Sequence, residues 1–384
     1  MMNISSIAIV SPGSFAVPSG TSSSVEHVVE RLADRLSEAA AQVTVLGRRT
    51  RRRPAREQIG GVTYVRPSYK SGLPYIEAVY RELKPMNPDL IQVENRPRFV
   101  RYLRKRMNRA TICLGLHSIT FISKPHIGRK EVAECLRCAD LIFVNSDYLR
   151  QEVIRRAPSV ANKVVVNPLG ADPSIFAPRM FHEEARQEML ASLGLSGRKV
   201  IVFAGRLRPM KGVEQLLHAM PAVFAAHPDA VLLVIGGAGY GSTKQTAYVR
   251  KLKRLAARYP GHIRFIPYVS HDSIPAWFRL ADVVAVPSLR IEAFGLVNVE
   301  AMSSGVPVVA TRVGGIPEIV LHEATGLLVP LQSVEAELAQ AISRLLADDE
   351  LRRQMGQRSL ERVAELYTWE KMAQRQRTFY DLLP

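Results

Sequence analysis

The chain is short of cysteine, of long apolar runs and of internal repeats, and each shortage removes a class of answers. Three cysteines in 384 residues cannot make a disulfide framework. Cys135-x2-Cys138 has redox spacing, but it falls late in a helical stretch, whereas a thiolate is favoured at a helix N-terminus. A zinc site would need two more convergent ligands, and Cys113 is the remaining thiol. The pair therefore reads as small buried side chains. No apolar run reaches the ~20 residues that a bilayer span requires. Met1–Val10 lacks a basic leader and runs directly into a strand, so no signal peptide is read there. These features lead us to expect a cytoplasmic protein.

What is present is an ordinary globular balance with one bias. The hydrophobic fraction is 47%, and the length suits two domains, each able to bury a core. Lys and Arg number 52 against 35 Asp and Glu, a net charge of +17. That excess favours anionic partners: nucleotide sugars, anionic lipid head groups, polyanionic polymers or nucleic acid. Charge alone does not choose among them.

Short apolar runs alternate with helical patterns along the whole chain. Ile7–Val10, a Gly/Pro/Ser-rich loop, an amphipathic helix with Val25, Val28, Val29, Leu32 and Leu36 on one face, and Val43–Leu46 make a βαβ start. Val62–Val65, Leu90–Val93, Thr111–Leu116, Leu141–Val144 and Val164–Asn167 continue it, with a helix over Tyr75–Lys84 ending near Pro85. Pro173–Lys199 reads as a connection. A second series follows in Val200–Ala204, Val231–Ile235, Ile263–Ile266, Val283–Val286 and Val306–Ala310, and Val334–Leu383 reads as a helical tail. The pattern predicts an α/β protein with two doubly wound parallel sheets.

Two segments concentrate the basic charge. Arg48, Arg49, Arg51, Arg52, Arg53 and Arg56 form a dense basic loop. Arg96–Arg109 carries Arg96, Arg98, Arg101, Arg104, Lys105, Arg106 and Arg109 without one acid, and Phe99, Leu103 and Met107 recur within it. An ordinary helix with its apolar stripe packed inward is the favoured reading. A helix lying on an anionic membrane is its rival. Nucleic acid is disfavoured, because stacking aromatics and a recognisable module are both missing.

The most informative stretch is Arg290–Gly305. Glu292 stands in a loop outside the carboxyl end of a parallel strand, where open α/β sheets bind ligands. Gly295 lets backbone approach a ligand, and a helix from about Leu296 to Gly305 offers free N–H groups to a phosphate. Glu300 lies about a turn and a half into that helix, placing a second carboxylate for sugar hydroxyls. Upstream, Arg206 and Lys211 sit in the loop after Val200–Ala204 and supply positive charge at the same sheet edge. Gly236, Gly237 and Gly239 form a turn suited to close backbone approach, with Gly237 lining a nucleotide pocket. No Asp-x-Asp pair accompanies these segments; two cations and a helix N-terminus can neutralise a leaving group without a metal.

Glu292-x7-Glu300 enclosing Phe294-Gly295, with Gly205-Arg206-Leu207, Lys211-Gly212 and Gly314-Gly315-Ile316-Pro317-Glu318, resembles the signature of the retaining glycosyltransferases of family 4, which have the GT-B fold. The resemblance covers most of the C-terminal half. It implies two Rossmann-like domains facing a central cleft: an acceptor domain over 1–170, a nucleotide-sugar domain over 171–365 and a last helix, 366–384, crossing back. It also implies that Arg206 and Lys211 contact the pyrophosphate, that Gly205 and the backbone of Val269 line the base and phosphate site, and that Ala293, Phe294, Gly295 and Leu296 surround the phosphate. Glu300 would hold the ribose and Glu292 the transferred sugar. Gly20 matches the family's N-terminal glycine loop, and His117, at a strand's carboxyl end, its active-site histidine.

The reading is thus a retaining, metal-independent enzyme that uses no cofactor. Its donor is a nucleotide-diphosphate sugar, a UDP-sugar in preference to a GDP-sugar, and its acceptor a saccharide or lipid-linked hydroxyl. The N-terminal region weakly resembles spore-coat-associated bacterial members, which suggests cell-surface or spore polysaccharide synthesis, in the cytoplasm, on the inner membrane face or at the spore coat. Two rivals remain open: a nucleotide-sugar 2-epimerase of the same fold, and a non-catalytic coat scaffold, against which four intact charged residues argue.

Overall fold

Most strands of both sheets are short, almost unbroken apolar runs, the pattern of parallel strands covered by helices on two faces. The computed structural model describes residues 4–18, 24–39, 41–51, 53–68, 74–178, 182–239, 241–242, 244–290 and 292–383. The chain divides into two compact units, Met1–Leu169 with Trp369–Pro384, and Gly170–Thr368.

The first unit holds β1 (Ser6–Val10), β2 (Gln42–Leu46), β3 (Arg56–Ile59), β4 (Val62–Val65), β5 (Leu90–Glu94), β6 (Thr111–Leu116), β7 (Leu141–Val144) and β8 (Val164–Val166). They stand in the order β3-β4-β2-β1-β5-β6-β7-β8, parallel throughout except for the pair β3 and β4. The second unit holds β9 (Lys199–Ala204), β10 (Ala230–Ile235), β11 (Ile263–Ile266), β12 (Val283–Val286), β13 (Val308–Thr311) and β14 (Gly326–Val329), ordered β11-β10-β9-β12-β13-β14 and all parallel.

In chain order the helices are α1 (Ser24–Glu38), α2 (Tyr75–Met86), α3 (Pro97–Arg104), α4 (Arg129–Arg137), α5 (Asp147–Arg156), α6 (Glu183–Ser192), α7 (Val213–Ala226), α8 (Ala247–Ala256), α9 (Ile274–Leu280), α10 (Leu296–Ser303), α11 (Ile316–Ile319), α12 (Val334–Ala347), α13 (Asp349–Leu366) and α14 (Trp369–Asp381). In the second unit Leu216, Met220 and Val223 of α7 and Leu338, Ile342 and Leu345 of α12 share one buried core with Ile201, Leu232 and Val283 of the sheet. Strand order reverses beside β9, whose neighbours are β10 and β12. Loops leaving the carboxyl ends of β9 and β12 are therefore adjacent, at the kind of switch point where open sheets bind ligands.

The structure departs from the sequence reading in several places. Arg56 does not end a basic loop but begins β3, an antiparallel edge strand whose residues are mostly exposed and so carry no apolar run to detect. Its neighbour Arg52 lies outside the described residues. Helix α2 continues through Pro85 to Met86 and stops at Asn87, which adopts a left-handed φ of 43°. A proline in the last turn removes one hydrogen bond without ending the helix. The tail is three helices, α12 to α14, with Asp348 capping α13 by accepting from the Leu351 N–H.

The basic segment Arg96–Arg109 finds its acids elsewhere in the chain. Arg98 bonds both oxygens of Glu131 at 2.9 and 2.7 Å, Arg101 reaches Glu131 and Glu134, and Arg104 pairs with Asp140. Arg96 and Arg106 lie over the rings of Phe121 and Tyr102. Helix α3 ends at Arg104, before Met107. Leu103 is buried, and Phe99 packs on the Tyr75 ring. Leu103 is thus core while Phe99 and Met107 are half-buried, and the packing follows the ordinary reading of the helix. A local charge count missed this because the compensating carboxylates sit on α4 and just beyond it. Among the described residues, no helix is long and apolar enough to cross a membrane. Cys113 and Cys135 are buried and Cys138 is half-buried, and burial lifts the Cys135 thiol to about 11, the opposite of the lowered value that favours a reactive thiolate.

Candidate active site

In the second unit the site is assembled from backbone outward. At the end of β9, Gly205 donates its N–H to the Ile235 carbonyl, and Leu207 donates to the Gly237 carbonyl at 2.8 Å. A Cβ on Gly236 would stand 2.0 Å from the Gly205 carbonyl oxygen, so the two strand-end loops interlock only with glycine there. Gly237 is similarly hemmed in by the Ser242 carbonyl. Arg206 is half-buried on the same loop.

The turn that carries Lys211 is tied to the loop after β12. Leu289 donates its N–H to the Met210 carbonyl, and Gly212, at φ 69°, lies so near the Pro287 carbonyl that a Cβ would meet it at 1.7 Å. This fixes the direction of Lys211. Its ammonium pairs with the Glu292 carboxylate, and each of the two side chains is about a quarter exposed. Glu292 is held by its own backbone: Gly315 donates to its carbonyl, and a Cβ on Gly314 would strike that same oxygen. The Gly314-Gly315 pair thus clamps the Glu292 loop. Ala293 and Phe294 are buried, the Phe294 ring packing on Tyr367, and Gly295 turns the chain into α10 with φ 92°. Leu296 begins that helix.

Glu300 is buried on α10. Burial raises its pKa above the ordinary carboxylate value, opposed by His271, whose Nε2 lies 3.7 Å from Oε1. Val269 is half-buried in the loop after β11, the same loop that brings His271. The residues singled out from sequence in the second unit therefore lie at the carboxyl ends of β9, β10, β11, β12 and β13 and on the helices that follow β12 and β13.

The first unit carries His117 at the end of β6. Its backbone N–H is accepted by Asn95 Oδ1 at 3.0 Å, and its Nε2 lies 2.7 Å from Glu94 Oε2. Glu94 and His117 meet because β5 and β6 are adjacent and parallel. The Glu94 side chain is 2% exposed. Gly20 lies outside the described residues. Among the described residues, no group of three His, Cys, Asp or Glu side chains could hold a metal.

Sequence reasoning missed Glu94, His271 and the clamping function of Gly314. Glu94 had a signal: Gln92 and Glu94 interrupt a strand that is otherwise apolar, and both are buried. His271 had none, since it is a lone histidine in a loop 29 residues before its partner.

A family model described as Glycosyl transferases group 1 matches residues 185–362, and one described as Glycosyltransferase Family 4 matches residues 25–175. The chain is 35% identical over 329 residues to the Bacillus subtilis (strain 168) protein named "Putative glycosyltransferase YtcC", covering 85% of this chain and 80% of that one. It is 30% identical to "Spore coat protein SA" of the same organism, covering 98% of this chain and 99% of that one. Among solved structures, Anabaena Alr3699/HepE in complex with UDP and glucose aligns with a TM-score of 0.77 at 21% identity, covering 99% of this chain and 100% of that one.

Proposed function

The chain belongs to the family 4 glycosyltransferases of the GT-B fold, and from that premise we propose that it transfers a sugar, with retention of configuration, from a UDP-sugar to a hydroxyl acceptor. The observation that carries the reading is the Lys211–Glu292 pair at the end of β9 and β12, with Arg206 on the same loop and the N-terminus of α10 just beyond Glu292. A cation, a carboxylate and a helix N-terminus at one sheet edge suit a sugar diphosphate: positive groups for the phosphates, a hydrogen-bond acceptor for the sugar. The UDP bound by the Anabaena neighbour favours uracil over guanine as the base.

In the proposed reaction the acceptor oxygen bonds to the anomeric carbon as the bond from that carbon to the β-phosphate oxygen breaks. The electron pair leaves with the diphosphate, and the acceptor's proton passes to the departing phosphate oxygen. Arg206, Lys211 and the α10 N–H groups meet the charge that develops there. Glu300 holds the ribose hydroxyls and Glu292 those of the transferred sugar, and His117 is the candidate active-site histidine of the first unit. The acceptor is a saccharide or lipid-linked hydroxyl, and the name of the Bacillus subtilis spore coat relative favours a cell-surface or spore polymer.

Because protein cations take the leaving-group charge in this scheme, sugar transfer or slow donor hydrolysis with UDP-glucose should persist in excess EDTA. Activity abolished by chelation and restored by Mn²⁺ would overturn the charge assignment. Net inversion of the anomeric centre, read by proton NMR of the product, would overturn retention. An epimerised nucleotide sugar as the product would favour the 2-epimerase reading instead.

A further inference from the structure

His117 and Glu94 end a chain of side-chain hydrogen bonds that the proposed function does not use. Arg375 of α14 donates Nε–H to Asn167 Oδ1 at 3.1 Å, and Asn167 donates Nδ2–H to Gln376 Oε1 at 2.6 Å. Gln376 donates to the Tyr380 hydroxyl at 3.0 Å, Tyr380 to Gln92 Oε1 at 3.2 Å, and Gln92 to Glu94 Oε1 at 3.0 Å. Every donor points the same way, from a cation on the last helix to one oxygen of a buried carboxylate. Such chains polarise and rigidify their members.

The other oxygen, Oε2, faces His117 Nε2. Room for it depends on glycine: a Cβ on Gly115, its neighbour on β6, would stand 2.2 Å from Oε2. His117 is also pinned through its main chain, its N–H on Asn95 Oδ1 and its carbonyl within 3.4 Å of Asn145 Nδ2. Its Nδ1 is buried and has no hydrogen-bond partner among the described residues.

We propose that Glu94 is a positioning residue that fixes His117 as the Nε2–H tautomer and leaves Nδ1 as an acceptor-only atom. A carboxylate accepts on both oxygens, here on Oε1 from Gln92 and on Oε2 from the imidazole, so Nε2 must donate, and in the neutral ring the second nitrogen then carries a lone pair. Such an atom takes a hydroxyl of a sugar as its donor and rejects a carbonyl or phosphate oxygen. The last helix thus reaches the site through Gln376 and Tyr380. This inference rests on the proposed function only for the identity of the hydroxyl; the tautomer itself is a property of the free protein.

The test is a long-range proton–nitrogen correlation spectrum of the uniformly ¹⁵N-labelled full chain at neutral pH, without ligand. The expected result is His117 with Nε2 protonated and Nδ1 bare. In E94Q that fixed state is lost, and in Y380F, which keeps the ring and removes the donor to Gln92, it shifts the same way by less. An Nδ1–H tautomer or an imidazolium in the wild type overturns the proposal. Turnover of UDP-glucose should fall about 10–100-fold in E94Q, the scale set by losing the partner that orients a metal-ligating histidine, and E94Q should add nothing in an H117A background. Unchanged turnover in E94Q, or additive losses in the double variant, overturns the positioning role. A wild type that shows the expected tautomer but turns over no nucleotide sugar contradicts the proposed function and leaves the fixed tautomer established.

Discussion

Lys211→Ala is expected to lower sugar transfer by about 10²–10³ with the protein still folded, the usual consequence of losing one preorganised stabiliser of a developing negative charge. In the free protein the Lys211 ammonium is paired with Glu292, and both side chains are about a quarter exposed. A pair so open to water contributes only ~0–1 kcal/mol to stability, so the variant's melting temperature should hardly move. The loss falls on catalysis because the turn over Pro209–Lys211 has little freedom to send another group in its place. Gly212 sits against the Pro287 carbonyl, and Met210 is bonded to Leu289. Lys211→Arg should rescue poorly, since a planar guanidinium cannot occupy the space of a compact ammonium. A Lys211→Ala enzyme within tenfold of wild type would move the charge-neutralising function to other groups.

The second large effect separates the two glutamates. Glu300→Gln should weaken binding of free UDP about 10–100-fold, the range for losing a hydrogen bond to a charged group, ~1.5–3 kcal/mol. Glu292→Gln should leave UDP affinity intact or tighten it, because Lys211 loses the carboxylate that competes with phosphate for its ammonium. Sugar transfer should nevertheless fall in Glu292→Gln. Isothermal titration calorimetry with UDP reads the difference directly, and equal losses in both variants would sink the division of roles.

Glu300→Gln should also melt higher than wild type at neutral pH. Burial raises the folded-state pKa of Glu300, so its stabilising contribution is present below the unfolded carboxyl value, about 4.3, and is lost as pH rises through the folded value. Above that, an ionised carboxylate in a buried site costs stability, and the neutral amide removes the cost. Each kcal/mol relieved raises the melting temperature by about 2–4 °C for a unit of this size. The gap between the two proteins should close as pH falls.

How far the sequence could be read depended on where the information is local. The strands announced themselves because parallel strands buried on both faces are apolar runs: Thr111–Leu116, Leu141–Val144, Ile263–Ile266 and Val283–Val286 stand at the residues read for them. Strand β3 was invisible because Arg-Glu-Gln-Ile at an exposed edge has no such run. The Lys211–Glu292 pair was legible only as two charged groups on loops of one sheet edge; their contact depends on β9 and β12 being neighbours, which local spacing does not contain. The pairing of Arg98 and Arg101 with Glu131 was hidden for the same reason, since the partners are some thirty residues apart. Glu94 was the readable residue that went unread: a carboxylate at the buried end of an inner strand must have a partner, and β6 leaves a glycine opposite it.

The most direct test of the central claim, that the second unit holds a nucleotide-sugar diphosphate, is a thermal-shift panel of UDP-, GDP- and ADP-sugars on the wild-type chain. A ligand at a hundred times its dissociation constant stabilises the folded protein by about 2.7 kcal/mol, enough to raise the melting temperature by several degrees. That shift is expected with at least one UDP-sugar, and in Glu300→Gln at the same ligand concentration it should shrink to about half or less. No shift with any of the donors would contradict it and leave a family 4 fold serving as a scaffold.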